Sequence, residues 1–267
     1  MVYSEWRKKI LDYLSRYKEN SLSIQGNGLY RGKEYPHILP EDKRKKNYLE
    51  ESFDEKPGFK KHTDWFHLNS SQTLCVNFFA ALNNDDLSKW ISTVLKRSVD
   101  VKSTCFEYVP VTHGSNFDFY ICDTNNNHYY FEIKYTESGF GKKGGGENPH
   151  EAYKKYYKED VESNPIFKSV TEDVFLNKHF QAYRNMVKGK GNDYSIIITM
   201  KSNAGTYNDL QSALCDLNVD DTPNVVLLYW EELIEETLEL FKDNHDLRQH
   251  YDKFKNKYIP TFKEDLE

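Results

Sequence analysis

Two runs in the second half of the chain, Y-S-I-I-I-T-M (residues 194–200) and N-V-V-L-L-Y-W (224–230), show no alternation of polar and apolar residues. A strand with one wet face alternates with a period of two, so unbroken apolar runs predict strands covered on both faces. Covering both faces of a sheet takes helices, which restricts the chain to a layered α/β architecture. Helical patterns lie where that architecture needs them. Trp6, Ile10, Leu11 and Leu14 form one stripe, and E-D-K-R-K-K-N-Y-L-E (41–50) reads as a second, heavily charged helix. In F-H-L-N-S-S-Q-T-L-C-V-N-F-F-A-A-L (66–82), Asn69 or Ser70 caps a helix, Gln72 takes the capping-box position, and Leu74, Cys75, Phe78, Phe79 and Leu82 face inward. A further helix is predicted from Asp86 to Arg97, burying Leu87, Trp90, Ile91 and Leu95.

At Val101 the period changes. V-K-S-T-C-F-E-Y-V-P (101–110), N-F-D-F-Y-I-C (116–122) and H-Y-Y-F-E-I-K-Y (128–135) predict a three-strand meander. The glycine-rich G-F-G-K-K-G-G-G-E-N-P (139–149) interrupts the pattern, and a polar, Tyr/Lys-rich helix follows over 149–162. Thr171 caps a helix whose Leu176, Phe180, Tyr183 and Val187 point one way, while Asn177, Gln181, Arg184, Asn185 and Lys188 share the other side; Gly189 stops it. A helix over Glu231 to Phe241 and a charged C-terminal helix close the chain. The sum is an α/β fold with a mixed central sheet, an antiparallel meander followed by strands reached through helical crossovers, flanked by helices. We divide it into an N-terminal helical extension, 1–62, and a core domain, 63–267.

Composition narrows the function classes. A net charge of -6 and a pI of about 5.9 argue against a protein that coats nucleic acid indiscriminately, but leave room for an enzyme with its basic residues gathered on one face. The mean hydropathy of -0.82 understates the core, because 20 Tyr, 16 Phe and 4 Trp bring large amphipathic area. With no membrane-length apolar run and no signal-peptide pattern, a soluble, cytoplasmic chain without membrane contact is expected. Cys75, Cys105, Cys122 and Cys215 lack metal or redox spacing and read as reduced thiols.

The meander carries the chemistry. Successive strand residues face opposite ways, so Glu132 and Lys134 share one face while Phe131, Ile133 and Tyr135 take the other. If D-T-N-N-N is the turn and Cys122 pairs with His128, Asp118 falls directly across from Glu132 on the same face. Two carboxylates about 5 Å apart repel unless a positive charge lies between them. Mg²⁺ suits such a place, since it takes one or two carboxylates together with water and phosphate oxygens. Lys134, on the same face, is placed to position or deprotonate a water and to neutralise charge building on a phosphate. The bland alternative is a cross-strand ion pair on a wet surface. Context disfavours it, because unpaired carboxylates inside a covered aromatic sheet are expensive.

The same residues resemble a family. An aspartate, thirteen intervening residues and then E-x-K, with a helix before the strands and a polar-faced helix after, is similar to the PD-(D/E)xK nuclease superfamily. H-L-N-S-S-Q-T-L-C-V-N-F-F (67–79), F-E (106–107), G-S-N-F-D-F (114–119), F-E-I-K-Y (131–135) and Q-A-Y-R-N (181–185) resemble a bacterial family of restriction endonucleases. The resemblance runs from Trp65 to Thr199, and the residues outside it match no part of that pattern. Phe117 stands where the superfamily's name expects Pro.

The resemblance implies a restriction-endonuclease-like core, Asp118 and Glu132 as metal ligands and Lys134 as the catalytic lysine. It implies Mg²⁺ with Mn²⁺ as a substitute, double-stranded DNA as substrate, and a homodimer of the restriction-modification type. Glu107 is a candidate further acid, with a solvent-facing strand end as its alternative. Gln181 would support the site, Arg184 would reach a phosphate, and Asn185, Lys188, Lys142 and Lys143 are candidate nucleic-acid contacts, against an ordinary solvated face and loop.

Rival readings remain. G-F-G-K-K-G (139–144) is a literal G-x-G-x-x-G, but Gly145, Gly146, Glu147, Asn148 and Pro149 follow its last glycine, where the fingerprint of a dinucleotide-binding oxidoreductase opens a helix directly. Zinc hydrolysis lacks H-E-x-x-H, leaving only His62 with His67. A repair or recombination nuclease of the same fold and a catalytically dead DNA-binding module are the nearer alternatives.

Overall fold

The computed structural model describes residues 1–55, 60–110, 116–141, 148–217 and 224–261. Helix α1 (Tyr3–Asn20) buries Trp6, Ile10 and Leu14 of the predicted stripe and leaves Leu11 half-buried. A short hairpin, β1 (Gly28–Tyr30) and β2 (Lys33–Tyr35), turns at Arg31 and Gly32, both at positive φ as a tight hairpin turn demands. The charged segment predicted as a helix over 41–50 is a 3-10 helix, Glu41–Asn47. Having no apolar stripe to bury, it stops where the Asn47 side chain turns inward to donate to the carbonyls of Trp65 and His67, at 2.7 and 2.8 Å.

Helix α2 (Ser71–Phe79) is capped by Ser70, whose hydroxyl accepts the Thr73 N–H at 3.3 Å. Gln72 does not close a capping box. Its side chain is buried, accepts the His62 N–H and donates to the Lys60 carbonyl, tying the preceding loop to the helix. Helix α3 (Asn84–Leu95) starts two residues before the predicted Asp86, capped by Asn83, and ends on Lys96 in the left-handed region.

Strands β3 (Val101–Tyr108), β4 (Phe117–Asp123) and β5 (His128–Ile133) form the expected antiparallel meander. The crossover that follows contains α4 (Pro149–Tyr156), α5 (Lys158–Ser163), α6 (Glu172–Asn177) and α7 (Phe180–Met186), and leads to β6 (Tyr194–Thr199). Helix α8 (Ala204–Cys215) leads to β7 (Val225–Tyr229), and α9 (Trp230–Leu240) and α10 (His245–Tyr258) complete the order. The sheet runs β3-β4-β5-β6-β7, antiparallel up to β5 and parallel from β5 to β7. The chain is thus α/β with a mixed five-stranded sheet flanked by helices.

Three local expectations fail for identifiable reasons. Of the two apolar runs, β6 is buried from Ser195 to Thr199 as predicted, whereas β7 is the edge strand and each of its residues is only half-buried. The helix predicted from Thr171 to Val187 breaks at Lys178 and His179, so Asn177 does not share a continuous face with Gln181, Arg184, Asn185 and Lys188. Gly189 is not in a left-handed cap; a side chain there would meet the Asn224 carbonyl at 2.6 Å.

Two compact units emerge, residues 1–99 with 230–267, and residues 100–229. The boundary expected at residue 62 coincides with neither. In the first unit Phe78 packs its ring against Trp90, Trp230, Tyr251 and Phe254, which joins α2 and α3 to α9 and α10 in one aromatic core. The charged C-terminal helix therefore has a buried face that its composition conceals. In the second unit Phe140, Tyr153, Tyr157, Phe175, Phe180, Tyr183, Met186 and Ile197 fill the space between the crossover helices and the sheet. No helix among the described residues is long and apolar enough to cross a membrane.

The β4–β5 turn fixes the register on which the charged cluster depends. Asp123 is buried and its carboxylate accepts from the Asn125 and Asn127 N–H groups, the Asn127 amide and the Tyr129 hydroxyl, at 2.7–2.9 Å. Burial works against that charge, but these four donors outweigh it and hold the carboxyl below its ordinary value. Asp123→Ala is expected to cost about 2 kcal/mol, because it orphans buried donors. The wild-type contribution is complete above the unfolded-chain value of about 3.9 and is lost as pH falls through the folded value. Urea unfolding of both proteins at pH 7 and near pH 3 checks both statements, since the gap between them should narrow in acid.

Candidate active site

The β4–β5 ladder sets Cys122 opposite His128 and ends at Phe119 opposite Phe131. One further step puts Asp118 opposite Glu132. There the main-chain ladder gives way to the Asp118 carboxylate, which accepts the Ile133 N–H at 2.6 Å. On the other side, Phe106 pairs with Phe119 and Tyr108 with Phe117, which leaves Glu107 opposite Asp118. Glu107, Asp118 and Glu132 thus form one row across three strands on a single face, with Lys134 two residues along from Glu132.

Glu107 has φ of 51°, a left-handed conformation rare for such a residue inside a strand. Backbone strain of this kind persists only where the surroundings enforce it and concentrates at functional positions. The Asn116 amide donates to the Glu107 carboxylate, and the Arg184 guanidinium donates to the Asn116 carbonyl at 3.2 Å. Half-buried and beside Asp118, Glu107 is not a free strand-end charge.

Glu132 is 3% exposed and is held from several sides. Lys134 Nζ lies 2.8 Å from Oε1, the Asn185 amide donates to Oε2 at 2.8 Å, and Arg184 lies 3.6 Å from Oε2. Burial alone would raise its carboxyl, but Lys134 and Arg184 outweigh that and hold it below its ordinary value. Asp118 behaves oppositely. Burial, then the adjacent Glu132 charge, push its carboxyl well above the usual range; Glu107 adds to this, and Lys134 and the Ile133 N–H oppose it. For Lys134, burial disfavours the ammonium, yet Glu132, Glu137 and Asp118 together hold it protonated beyond an ordinary lysine. One of two neighbouring acids stays ionised on its cations while the other is electrostatically frustrated.

That frustration bears on a metal. Among the described residues no group of three or more His, Cys, Asp or Glu is placed to hold an ion. Two hard carboxylates completed by water and phosphate oxygens nevertheless suit Mg²⁺. A divalent cation here would reverse the push on Asp118. The Asn185 side-chain oxygen, buried beside Glu132 with no hydrogen-bond partner, is a further acceptor at the same place.

The remaining predicted residues are placed as follows. Asn185 is fully buried, and its amide donates to Glu132 and to the Gln181 carbonyl, so it supports the acid rather than meeting a polymer at the surface. Gln181 is half-buried at the start of α7, and its own N–H donates to the Phe140 carbonyl at 3.1 Å. Arg184 bridges Glu132 and Asn116, with its Nε buried and unpartnered. Lys188 pairs with Asp160 at 2.7 Å, away from the acidic row. Lys142 and Lys143 lie outside the described residues, as does most of the glycine-rich motif. The role of Asn185 was legible only in part, because the sequence puts it on a polar helix face but cannot say that this face covers the sheet.

A family model described as Restriction Endonuclease associating with ARP matches residues 6–259, which takes in both units and not only the stretch from Trp65 to Thr199. No curated protein and no solved structure matches the chain.

Proposed function

The chain belongs to the family of restriction endonucleases associating with ARP, and we propose that it is a Mg²⁺-dependent endonuclease of double-stranded DNA, of type II restriction kind. The nuclease role and DNA binding come with the family. Metal, type and site residues are our reading. The observation that carries it is the row of Glu107, Asp118 and Glu132, the first two half-buried and Glu132 only 3% exposed, with Lys134 held 2.8 Å from Glu132, where unneutralised acids are costly.

Asp118 and Glu132 would hold the metal, whose contribution when bound is to polarise the phosphodiester and favour an ionised water as nucleophile. Lys134, held 2.8 Å from Glu132 beside the acidic row, would serve as a charge that steadies the developing phosphorane and its leaving oxygen. Asn185 and Arg184 fix the Glu132 carboxylate in orientation. Arg184, with an unpartnered Nε, is placed to meet a phosphate oxygen if it leaves Asn116. A dimer would bring two such sites to the two strands. Association with ARP, in the words of the family's description, is proposed for this chain as well.

Supercoiled plasmid and mixed-sequence linear DNA, incubated with Mg²⁺, Mn²⁺ or EDTA, test the reading together with Glu132→Gln. Discrete fragments that require metal and vanish in the variant are the expected result. DNA binding without cutting under any metal would instead identify a catalytically dead binding module, and sizing of the complex reads the dimer.

A further inference from the structure

The chain leaving β5 runs from Lys134 through residues 135–138 into a short strap, Gly139 to Gly141, and this strap is fastened by groups outside the acidic row. The Asp209 carboxylate on α8 accepts the Phe140 N–H through one oxygen and bonds His179 Nδ1 through the other. The other ring nitrogen of His179 meets the Ser212 hydroxyl at 3.2 Å, so the imidazole is held at both ends. Gly139 approaches Asp209 so closely that a side chain there would meet its carboxylate at 2.5 Å, and its φ of 158° is one that other residues rarely adopt. Beyond the glycine, the carbonyls of Phe140 and Gly141 accept the Gln181 and Phe180 N–H groups at 3.1 and 2.9 Å. The strap therefore caps the start of α7, the helix that carries Arg184 and Asn185.

The strap also reaches the lysine. Phe140 is fully buried, and Lys134 Nζ lies 5.8 Å from the centre of its ring, within cation–π range. A four-bond stem gives a lysine many rotamers, and Glu132 fixes only its tip. The Phe140 ring limits where that tip can go, and Phe140 is itself fixed by Asp209. His179 interrupts what the sequence predicts as one helix from Thr171 to Val187, and the break puts its imidazole on Asp209. A cleft of about 570 Å³ lined by Ser138, His179, Asn208, Asp209 and Ser212 leaves this latch open to solvent on one side.

We propose that Asp209 and His179 are positioning residues that latch the Gly139–Gly141 strap and thereby hold Lys134 and the start of α7 in the geometry the nuclease uses. The pair touches neither the acidic row nor, in this arrangement, the reacting atoms. The proposal rests on the nuclease reading for its catalytic consequence and on geometry alone for its mechanical one.

The experiment follows both in the full-length chain, for wild type, Asp209→Ala, Asp209→Asn and Gly139→Ala. Hydrogen exchange in metal-free protein reads the strap, a lysine-acylating reagent with mass-spectrometric mapping reads access to Lys134, and single-turnover cleavage with separate DNA-binding measurements reads function. In Asp209→Ala, exchange over residues 138–141 should quicken at least about tenfold with β6 unchanged. Lys134 acylation should rise several-fold, and cleavage should fall about tenfold or more with DNA affinity within about twofold. Gly139→Ala, whose methyl would push on the Asp209 carboxylate, should reproduce these effects with Asp209 itself unsubstituted, and Asp209→Asn, which keeps an acceptor for the Phe140 N–H, should recover part of them. Unchanged exchange and acylation in both Asp209→Ala and Gly139→Ala would overturn the latch. So would a loosened strap with wild-type single-turnover cleavage. If wild type itself does not cut DNA, the nuclease reading falls while exchange and acylation still decide the mechanical claim.

Discussion

Lys134→Met is expected to lower single-turnover DNA cleavage by about 10²- to 10³-fold, the usual cost of removing one charged stabiliser of a transition state. DNA affinity should change little, because Lys134 is nearly buried and does not add to an outer charge surface. A second effect must be separated from the first. Lys134 is the nearest cation to a carboxylate that is 3% exposed, and deleting one member of a buried pair typically costs about 3–5 kcal/mol by stranding the other. Arg184 at 3.6 Å and the Asn185 amide remain, so the loss should fall toward the lower end of that range. Adding Glu132→Gln to Lys134→Met removes the stranded charge. Urea unfolding should then show much of the stability restored, while cleavage stays absent. A double variant as unstable as the single one would mean that the pair is not the coupled unit the structure shows, and a Lys134→Met protein that cuts at the wild-type rate would remove the lysine from the chemistry.

Much of this site was legible in the sequence because it depends on local rules. The strand period of two puts Glu132 and Lys134 on one face, and the D-T-N-N-N turn, with Asp123 accepting four hydrogen bonds, fixes the register that brings Asp118 opposite Glu132. The long-range partners were less legible. Asn185 lies fifty-three residues from Glu132, and only the crossover that lays α7 over β5 brings them together. His179 and Asp209 carry no motif, and the helix break that brings them together lies in a stretch whose periodicity reads as unbroken. The apolar pattern of β7 was read correctly as a strand but not as an edge, since periodicity reports what covers a strand's faces and not what pairs with its sides. In the first unit, α10 looks like a solvated helix by charge, yet Tyr251, Phe254 and Tyr258 bury one side of it. Its charged residues conceal an aromatic spacing of three and four.

Asp118→Asn should abolish metal-dependent cleavage and, in metal-free protein, make the fold more stable. The two outcomes share one cause. The folded Asp118 carboxyl lies above its unfolded value because it is buried beside Glu132 and Glu107, so ionising it costs the native state. Below the unfolded value of about 3.9 the group is protonated in both states and imposes no penalty. As pH rises from there through the folded value, the native state binds the extra proton, stability falls, and the full penalty is present above it. Asparagine keeps an oxygen to accept the Ile133 N–H but carries no charge, so the variant loses that downward slope. At pH 7 its gain should be on the order of 1 kcal/mol, the usual scale of a single stabilising change, and visible as a rise of a few degrees in Tm. Mg²⁺ should reverse the ranking, because an ion that binds only the native state stabilises by mass action and Asp118 is one of its two proposed ligands. Wild type should therefore gain Tm with increasing Mg²⁺ while Asp118→Asn stays flat. A variant less stable than wild type without metal would refute the frustration assigned to Asp118, and equal Mg²⁺ responses in the two proteins would put the ion elsewhere. The nuclease reading thus makes a claim that calorimetry can test before any DNA is cut: a residue that weakens the metal-free fold is one the chemistry requires.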